Sequence, residues 1–175
     1  DKFKIAQKAV KDYAGKLKRE SLCIVQIGSS LRQEDFTSES DLDLLVIYRE
    51  PVESSIRHES FRHFDIQIVQ QGKNQFIKSL KEGIPIYLVA LKFGKVLHDN
   101  GIFQKQKNIG YQPTKKSIEM WLHTASFNLS DAFMNYSISG YEYFKSLRNA
   151  AREFSRAIIL KEFGEIVEGN KAIIE

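Results

Sequence analysis

This 175-residue chain has one cysteine, three prolines and no long apolar run. A single cysteine, Cys23, cannot close an internal disulfide, so a small secreted scaffold stapled by bridges is excluded. Inside Leu22-Cys-Ile-Val25 it reads as a small buried hydrophobe in a reducing compartment. Three prolines and ten glycines are too few for a fibrous or low-complexity chain. The longest apolar stretches, such as Ile84 to Leu91, fall well short of the roughly 20 residues that a membrane-spanning helix needs. The lysine-rich N-terminal segment is amphipathic and lacks the apolar core of a signal peptide. A cytoplasmic protein with no membrane partner is expected. Acid does not dominate either: 26 Lys and Arg stand against 22 Asp and Glu, and the whole excess lies in residues 1–110, with 18 basic and 14 acidic side chains. Such an excess attracts a polyanion or simply keeps a surface soluble, and charge alone does not choose between them.

With 42% hydrophobic and 27% charged residues, the chain has the balance of a folded protein. Residues Phe3 to Lys18 repeat apolar groups at spacings of three and four and predict an amphipathic helix. Ser21 to Ile27 is a branched apolar strand that stops at Gly28-Ser-Ser30, a turn and the expected start of a helix. Asp41 to Tyr48 forms a second strand, and a polar link from Pro51 leads to a third, Phe64 to Val69. Phe76 to Phe93 is helical with a bend at Gly83 and Pro85, Lys95 to His98 is a short edge strand, and Asp99-Asn-Gly101 is a turn. Beyond Gly110 and Pro113 only helical spacing remains. Ile118, Leu122, Ala125, Leu129, Ala132 and Tyr136 mark one helix, and Phe144, Leu147, Ala151, Phe154 and Ile158 mark another. Gly140 falls in the connection and Gly164 at a C-terminal cap. An α+β domain over residues 1–110 and a helical module over 111–175 follow. Two helices bury too little to stand free, so the module must pack on the first domain, on a second copy, or on both.

The chemistry lies in the acids. Alternation along a strand points Asp41 and Asp43 to one face, about 7 Å apart. Two such charges repel and lose hydration, a cost that a bound divalent cation removes. Mg²⁺, or Mn²⁺, takes hard oxygen ligands and is commonly shared between carboxylates and substrate phosphates. Asp65, flanked by Phe64 and Ile66, becomes a third acid of the same patch if its strand lies beside the second, and the natural proton acceptor. Gly28, Ser29 and Ser30 would face the phosphates with backbone N–H and hydroxyl groups, and Arg32 and Ser40 are further candidates for the nucleotide side.

Gly28-Ser29, eleven residues, Asp41-Leu-Asp43 before an apolar run, and the later Asp65 together resemble the nucleotidyltransferase superfamily of the DNA polymerase β type. The resemblance covers roughly residues 20–105 and is nearest in kind to the minimal nucleotidyltransferases of bacteria and archaea. It implies a nucleotidyltransferase fold, a mixed sheet flanked by helices. It also implies metal held by Asp41 and Asp43 and completed by Asp65, with a nucleoside triphosphate, foremost ATP, on the glycine-serine turn. The tail, around Gly140-Tyr-Glu-Tyr-Phe-Lys-Ser-Leu-Arg-Asn-Ala-Ala-Arg152, resembles the helical modules of kanamycin-type aminoglycoside nucleotidyltransferases and of the HEPN group. Ribonucleases of that group follow an arginine closely with a histidine; Arg148, Arg152 and Arg156 have none after them, so ribonuclease activity is not expected.

His58, His63, His98 and His123 are scattered without zinc-ligand spacing and read as surface or partly buried residues. Trp121, Tyr136, Tyr141, Tyr143 and Phe144 read as core at helical spacing. The expected activity is transfer of a nucleoside monophosphate to a hydroxyl of a small molecule or partner protein, with nucleic acid the lesser acceptor. The alternative is a non-catalytic nucleotide- and metal-binding module of regulatory or antitoxin type. A homodimer through the C-terminal helices is a further expectation.

Overall fold

The computed structural model describes residues 2–37 and 40–169. The chain divides into two compact units, Asp1–Lys81 with Ile86–Tyr111 and Glu82–Pro85 with Gln112–Glu175. The first contains α1 (Lys2–Leu17), β1 (Ser21–Ile27), β2 (Leu42–Tyr48), β3 (Ser55–Phe61), β4 (Phe64–Gly72), α2 (Lys73–Lys81), most of α3 (Pro85–Phe93), β5 (Lys95–Asp99) and α4 (Ile102–Ile109). Its five strands form one sheet in the order β3-β4-β2-β1-β5. The β2 and β4 strands run parallel; the other neighbours are antiparallel. A mixed sheet with flanking helices, followed by a helical unit, is the α+β architecture expected from the sequence.

The order of the core follows from period. Along β2, Leu42, Leu44, Val46 and Tyr48 join Ile24, Phe64, Ile66 and Ile68 in one cluster, and α1 covers it with Ala6, Ala9, Val10, Tyr13 and Ala14. The alternate residues Leu45 and Ile47 are buried on the opposite face. Only Asp43 breaks that second row, and it is half-buried. Burial on both faces is why β2 reads as a nearly continuous apolar run.

Two elements depart from expectation. The polar link is in fact the edge strand β3, paired antiparallel with β4 from Ser55↔Gln70 to Phe61↔Phe64. Exposed on most of both sides, Ser-Ile-Arg-His-Glu-Ser-Phe carries no apolar alternation from which to read a strand. Its hairpin turns at Arg62 and His63, both left-handed with φ of 51° and 67°, without the usual Gly or Asn. Local bonds hold it there: Arg62 pairs with Asp12 at 2.5 Å, Lys16 lies 4.2 Å over the Phe61 ring, and the Tyr13 hydroxyl donates to Glu59. Burial, and then that bond to Glu59, raise the Tyr13 pKa to about 12. The second departure is α4, which starts directly after the turn because Asp99 accepts from the Phe103 and Gln104 N–H groups at 3.0 Å. The helix break at Gly83 and Pro85 is present, between Lys81 and Pro85.

The second unit is a helical hairpin of α5 (Lys115–Asn135) and α6 (Gly140–Phe163). Thr114 and Ser117 form a reciprocal cap at its start, and the Ser117 hydroxyl donates to Gly83 O at 2.5 Å. Gly164 ends α6 in the left-handed conformation, as the sequence implied. Gly140 lies at the first position of α6, after the cap residue Ser139, and so just past the connection expected to hold it. The buried face of α6 is Ser146, Ala150, Glu153, Ala157 and Leu160, and Ser146 donates to Asp131 of α5. The expected stripe from Phe144 to Ile158 lies outward instead, since small residues let two helices approach where phenylalanines cannot. Of the aromatic side chains read as core, only Trp121 is buried; Tyr136, Tyr141 and Phe144 are exposed and Tyr143 is half-buried.

Glu153 accepts from Arg156 at 2.9 Å and from Arg152 at 3.1 Å. Burial lowers the Arg156 pKa and the Glu153 charge opposes the shift. Removing the acid strands a largely buried guanidinium, so Glu153→Ala is expected to cost about 3 kcal/mol in urea denaturation, with Glu153→Gln milder. A loss under about 0.5 kcal/mol would mean that the pair contributes nothing.

Candidate metal and phosphate site

The antiparallel register of β1 and β2 sets Ile27 beside Asp43. Gly28 follows at once, with φ 76° and ψ −163°, a conformation essentially restricted to glycine. A Cβ built on Gly28 would overlap the Asp43 carboxylate. The glycine-serine turn and the second acid, distant in sequence, are therefore in direct contact, and backbone at this spot can approach whatever the carboxylate holds.

The turn itself differs from expectation. It continues into a single short turn, Ser29–Leu31, and not into an α-helix, so no helix dipole is added there. Ser30 is fully buried. Gln26 Nε2 donates to its Oγ at 3.1 Å and to its carbonyl at 2.9 Å, which makes Ser30 an internal clip instead of a phosphate ligand. Ser29 is half-buried and keeps its place as a candidate. Arg32 donates to Asp35 at 2.5 Å, so reaching a phosphate would cost it that ion pair. Ser40 accepts from the Thr37 N–H at 2.9 Å and thus shapes the loop end that delivers Asp41.

Parallel pairing places Leu42 beside Ile66 and Asp43 beside Gln67. The ladder starts at Leu42, so Asp41 and Asp65 each lie one residue before its first pair. Asp43, Asp65 and Gln67 alternate away from the α1-covered cluster and share the other face of the sheet. Through the β4–β3 register, His58 stands beside Gln67 and Ser60 beside Asp65. Ser60 Oγ donates to Asp65 Oδ1 at 3.1 Å. One row runs Asp43, Gln67, His58 and the next holds Asp65 and Ser60, with Asp41 directly before β2. Gln67 was legible from the alternation of β4; His58 and Ser60 were not, because nothing marked β3 as a strand.

Asp41 and Asp65 are exposed and Asp43 is half-buried. Among the described residues, no three His, Cys, Asp or Glu side chains are gathered closely enough to hold a metal ion. With neighbouring strands about 4.8 Å apart, these carboxylates reach a common point only by side-chain rotation. The donors in these rows suit a hard cation, being three carboxylates, the Ser60 hydroxyl and the Gln67 amide, with one imidazole, His58, and no thiol. The described helices include none long and apolar enough to cross a membrane.

No family model matches the chain, and no curated protein matches it. Among solved structures it is similar to a nucleotidyltransferase-like protein from Exiguobacterium sibiricum 255-15, with TM-score 0.46 and 16% identity over 97% of this chain. The chain spans 60% of the length of that protein. A likeness so distant carries nothing about chemistry or substrate.

Proposed function

We propose that the chain is a divalent-metal-dependent nucleotidyltransferase that moves a nucleoside monophosphate from a triphosphate, foremost ATP, to a hydroxyl acceptor. The contact of Gly28 with the Asp43 carboxylate carries this reading, because it sets the phosphate-side turn against the metal-side acid. Asp41 and Asp43 would hold Mg²⁺ or Mn²⁺, with Asp65 completing the set after rotation. The bound cation would supply neutralisation of charge on the triphosphate.

Gly28 and Ser29 would present backbone N–H and hydroxyl groups to the phosphates. An acceptor hydroxyl attacks the α-phosphorus; the bond to pyrophosphate breaks as the new P–O bond forms, and Asp65 takes the hydroxyl proton. Catalysis is positioning plus charge stabilisation. A small molecule or a partner protein fits as acceptor better than nucleic acid.

Pyrophosphate release from ATP with Mg²⁺, measured across a panel of aminoglycosides, other hydroxyl compounds and candidate proteins, tests the proposal. Binding of ATP and metal with no turnover across the panel would favour the regulatory binding module instead. Ser60 gives a finer test. In the present arrangement its hydroxyl donates to Asp65, a bond that the rotation of Asp65 toward the metal would break, so Ser60→Ala should leave Mn²⁺ affinity unchanged or raise it, whereas Asp65→Asn should weaken it about tenfold. Unchanged affinity in the Asp65→Asn variant would remove Asp65 from the metal set.

A further inference from the structure

We propose that the outer face of α1 binds the phosphate backbone of a double-helical nucleic acid, independently of base sequence. Lys4, Lys8, Lys11 and Lys18 follow one another at spacings of four, three and seven, with Gly15 in the gap. At about 3.6 residues per turn these positions fall within an arc of about 80°, on the side away from the Ala6, Ala9, Val10, Tyr13 and Ala14 face that packs on the sheet. All four lysines are exposed, and among the described residues none of them is held in an ion pair. Asp12, the acid four residues after Lys8, is taken instead by Arg62 of the β3–β4 hairpin at 2.5 Å.

This row works against the helix that carries it. Lysines four apart repel, as Lys4 and Lys8 do, and the first turn holds no acid while Lys4 lies near the positive end of the helix dipole. A surface built for solubility mixes both signs; a row of one sign raises the local concentration of an opposite polyelectrolyte, which removes the repulsion when it binds.

Shape and chemistry choose the occupant. From Lys4 to Lys18 the row spans about 21 Å at 1.5 Å per residue, the length over which one strand of a duplex presents about six phosphates. Single strands are gripped by stacking bases on aromatic rings, and the row offers none: Tyr13 is buried and Phe3 meets Phe36 edge to face. A membrane-surface helix turns its apolar face to lipid, whereas that of α1 is occupied by the sheet, with Ile5 its one exposed large apolar side chain. Lysines contact phosphate as point charges and read no base, so DNA and RNA duplexes should bind alike. Because α1 covers the face of the sheet opposite Asp43 and Asp65, a duplex held here is a tether and not the acceptor of the proposed transfer.

Fluorescence anisotropy of labelled DNA and RNA duplexes of about 20 bp, with the intact chain in EDTA and without ATP, tests the proposal. Both should bind with micromolar affinity at about 50 mM salt, and log affinity should fall with log salt at a slope of about −4 for four phosphate contacts. Lys8→Glu with Lys11→Glu should weaken binding at least about tenfold and bring the slope to about −2, whereas Lys145→Glu with Lys161→Glu, the same charge change on exposed lysines of α6, should weaken it less than about threefold. Gly15→Lys fills the gap in open space and should tighten binding at least about threefold, and Gly140→Lys, equally open but off the row, should not. No binding up to about 100 µM, equal loss in the two double variants, or tighter binding to anionic phospholipid vesicles than to either duplex would overturn the proposal. Metal and ATP are absent from every arm, so failure here leaves the proposed transfer intact, and failure of the transfer leaves this site standing.

Discussion

Asp43→Asn is expected to lower pyrophosphate release by about a thousandfold while its urea midpoint stays level or rises. Metal-mediated neutralisation of phosphoryl charge is worth several kcal/mol, and each 1.36 kcal/mol is a factor of ten in rate. Asp43 is the acid nearest the turn: Gly28 lies against its carboxylate and Ile27 is its strand partner. Asparagine keeps the shape and removes one negative charge beside Asp41, which relieves repulsion in the unloaded protein. Metal-dependent ATP binding, followed by calorimetry, should fall with the rate. Full turnover in this variant would sink the metal assignment.

Gly28→Ala should be damaging to stability and activity together. With φ 76° and ψ −163°, an alanine there costs about 1–3 kcal/mol in backbone strain alone. Its methyl group would also collide with the Asp43 carboxylate, which must swing away from the site. A loss of about 3 kcal/mol in urea denaturation is expected, with turnover lost even where the variant remains folded. Gly15 makes the matched control. It sits in α1 with nothing within 4 Å of the place a methyl group would take, so Gly15→Ala should add about 0.5–1 kcal/mol and leave turnover unchanged. Wild-type stability and turnover in Gly28→Ala would separate the turn from the acid and remove the observation that carries the proposed function.

Legibility in the sequence tracked burial. The β1 and β2 strands announce themselves because both faces are apolar, and α1 because its alanines and Val10 recur at helical spacing against that sheet. The two glycine-dependent features, the bend at Gly83 and the cap at Gly164, were readable because each needs φ above zero: 73° and 71° in the structure. The β3 strand was invisible for the opposite reason. An edge strand exposed on most of both faces owes its existence to hydrogen bonds with β4 and to tethers such as Arg62–Asp12, none of which leaves a pattern in composition.

The α6 helix shows a different limit. Its sequence carries two stripes about a third of a turn apart, and periodicity identifies both without saying which one meets α5. The small-residue stripe won because close approach of two backbones gains more contact than the bulky stripe allows.

The acids, the glycine-serine turn, the helical spacing and the absence of a disulfide framework were determined by the sequence alone, because each depends on residue type and local interval. Only the tertiary structure decided that Gly28 touches Asp43, that Asp65 lies on the strand paired with β2 with Ser60 bonded to it, that Ser30 turns inward, and which face of α6 stays open. Those outcomes depend on strand register and on competition between packing surfaces, and both are set by residues far apart along the chain.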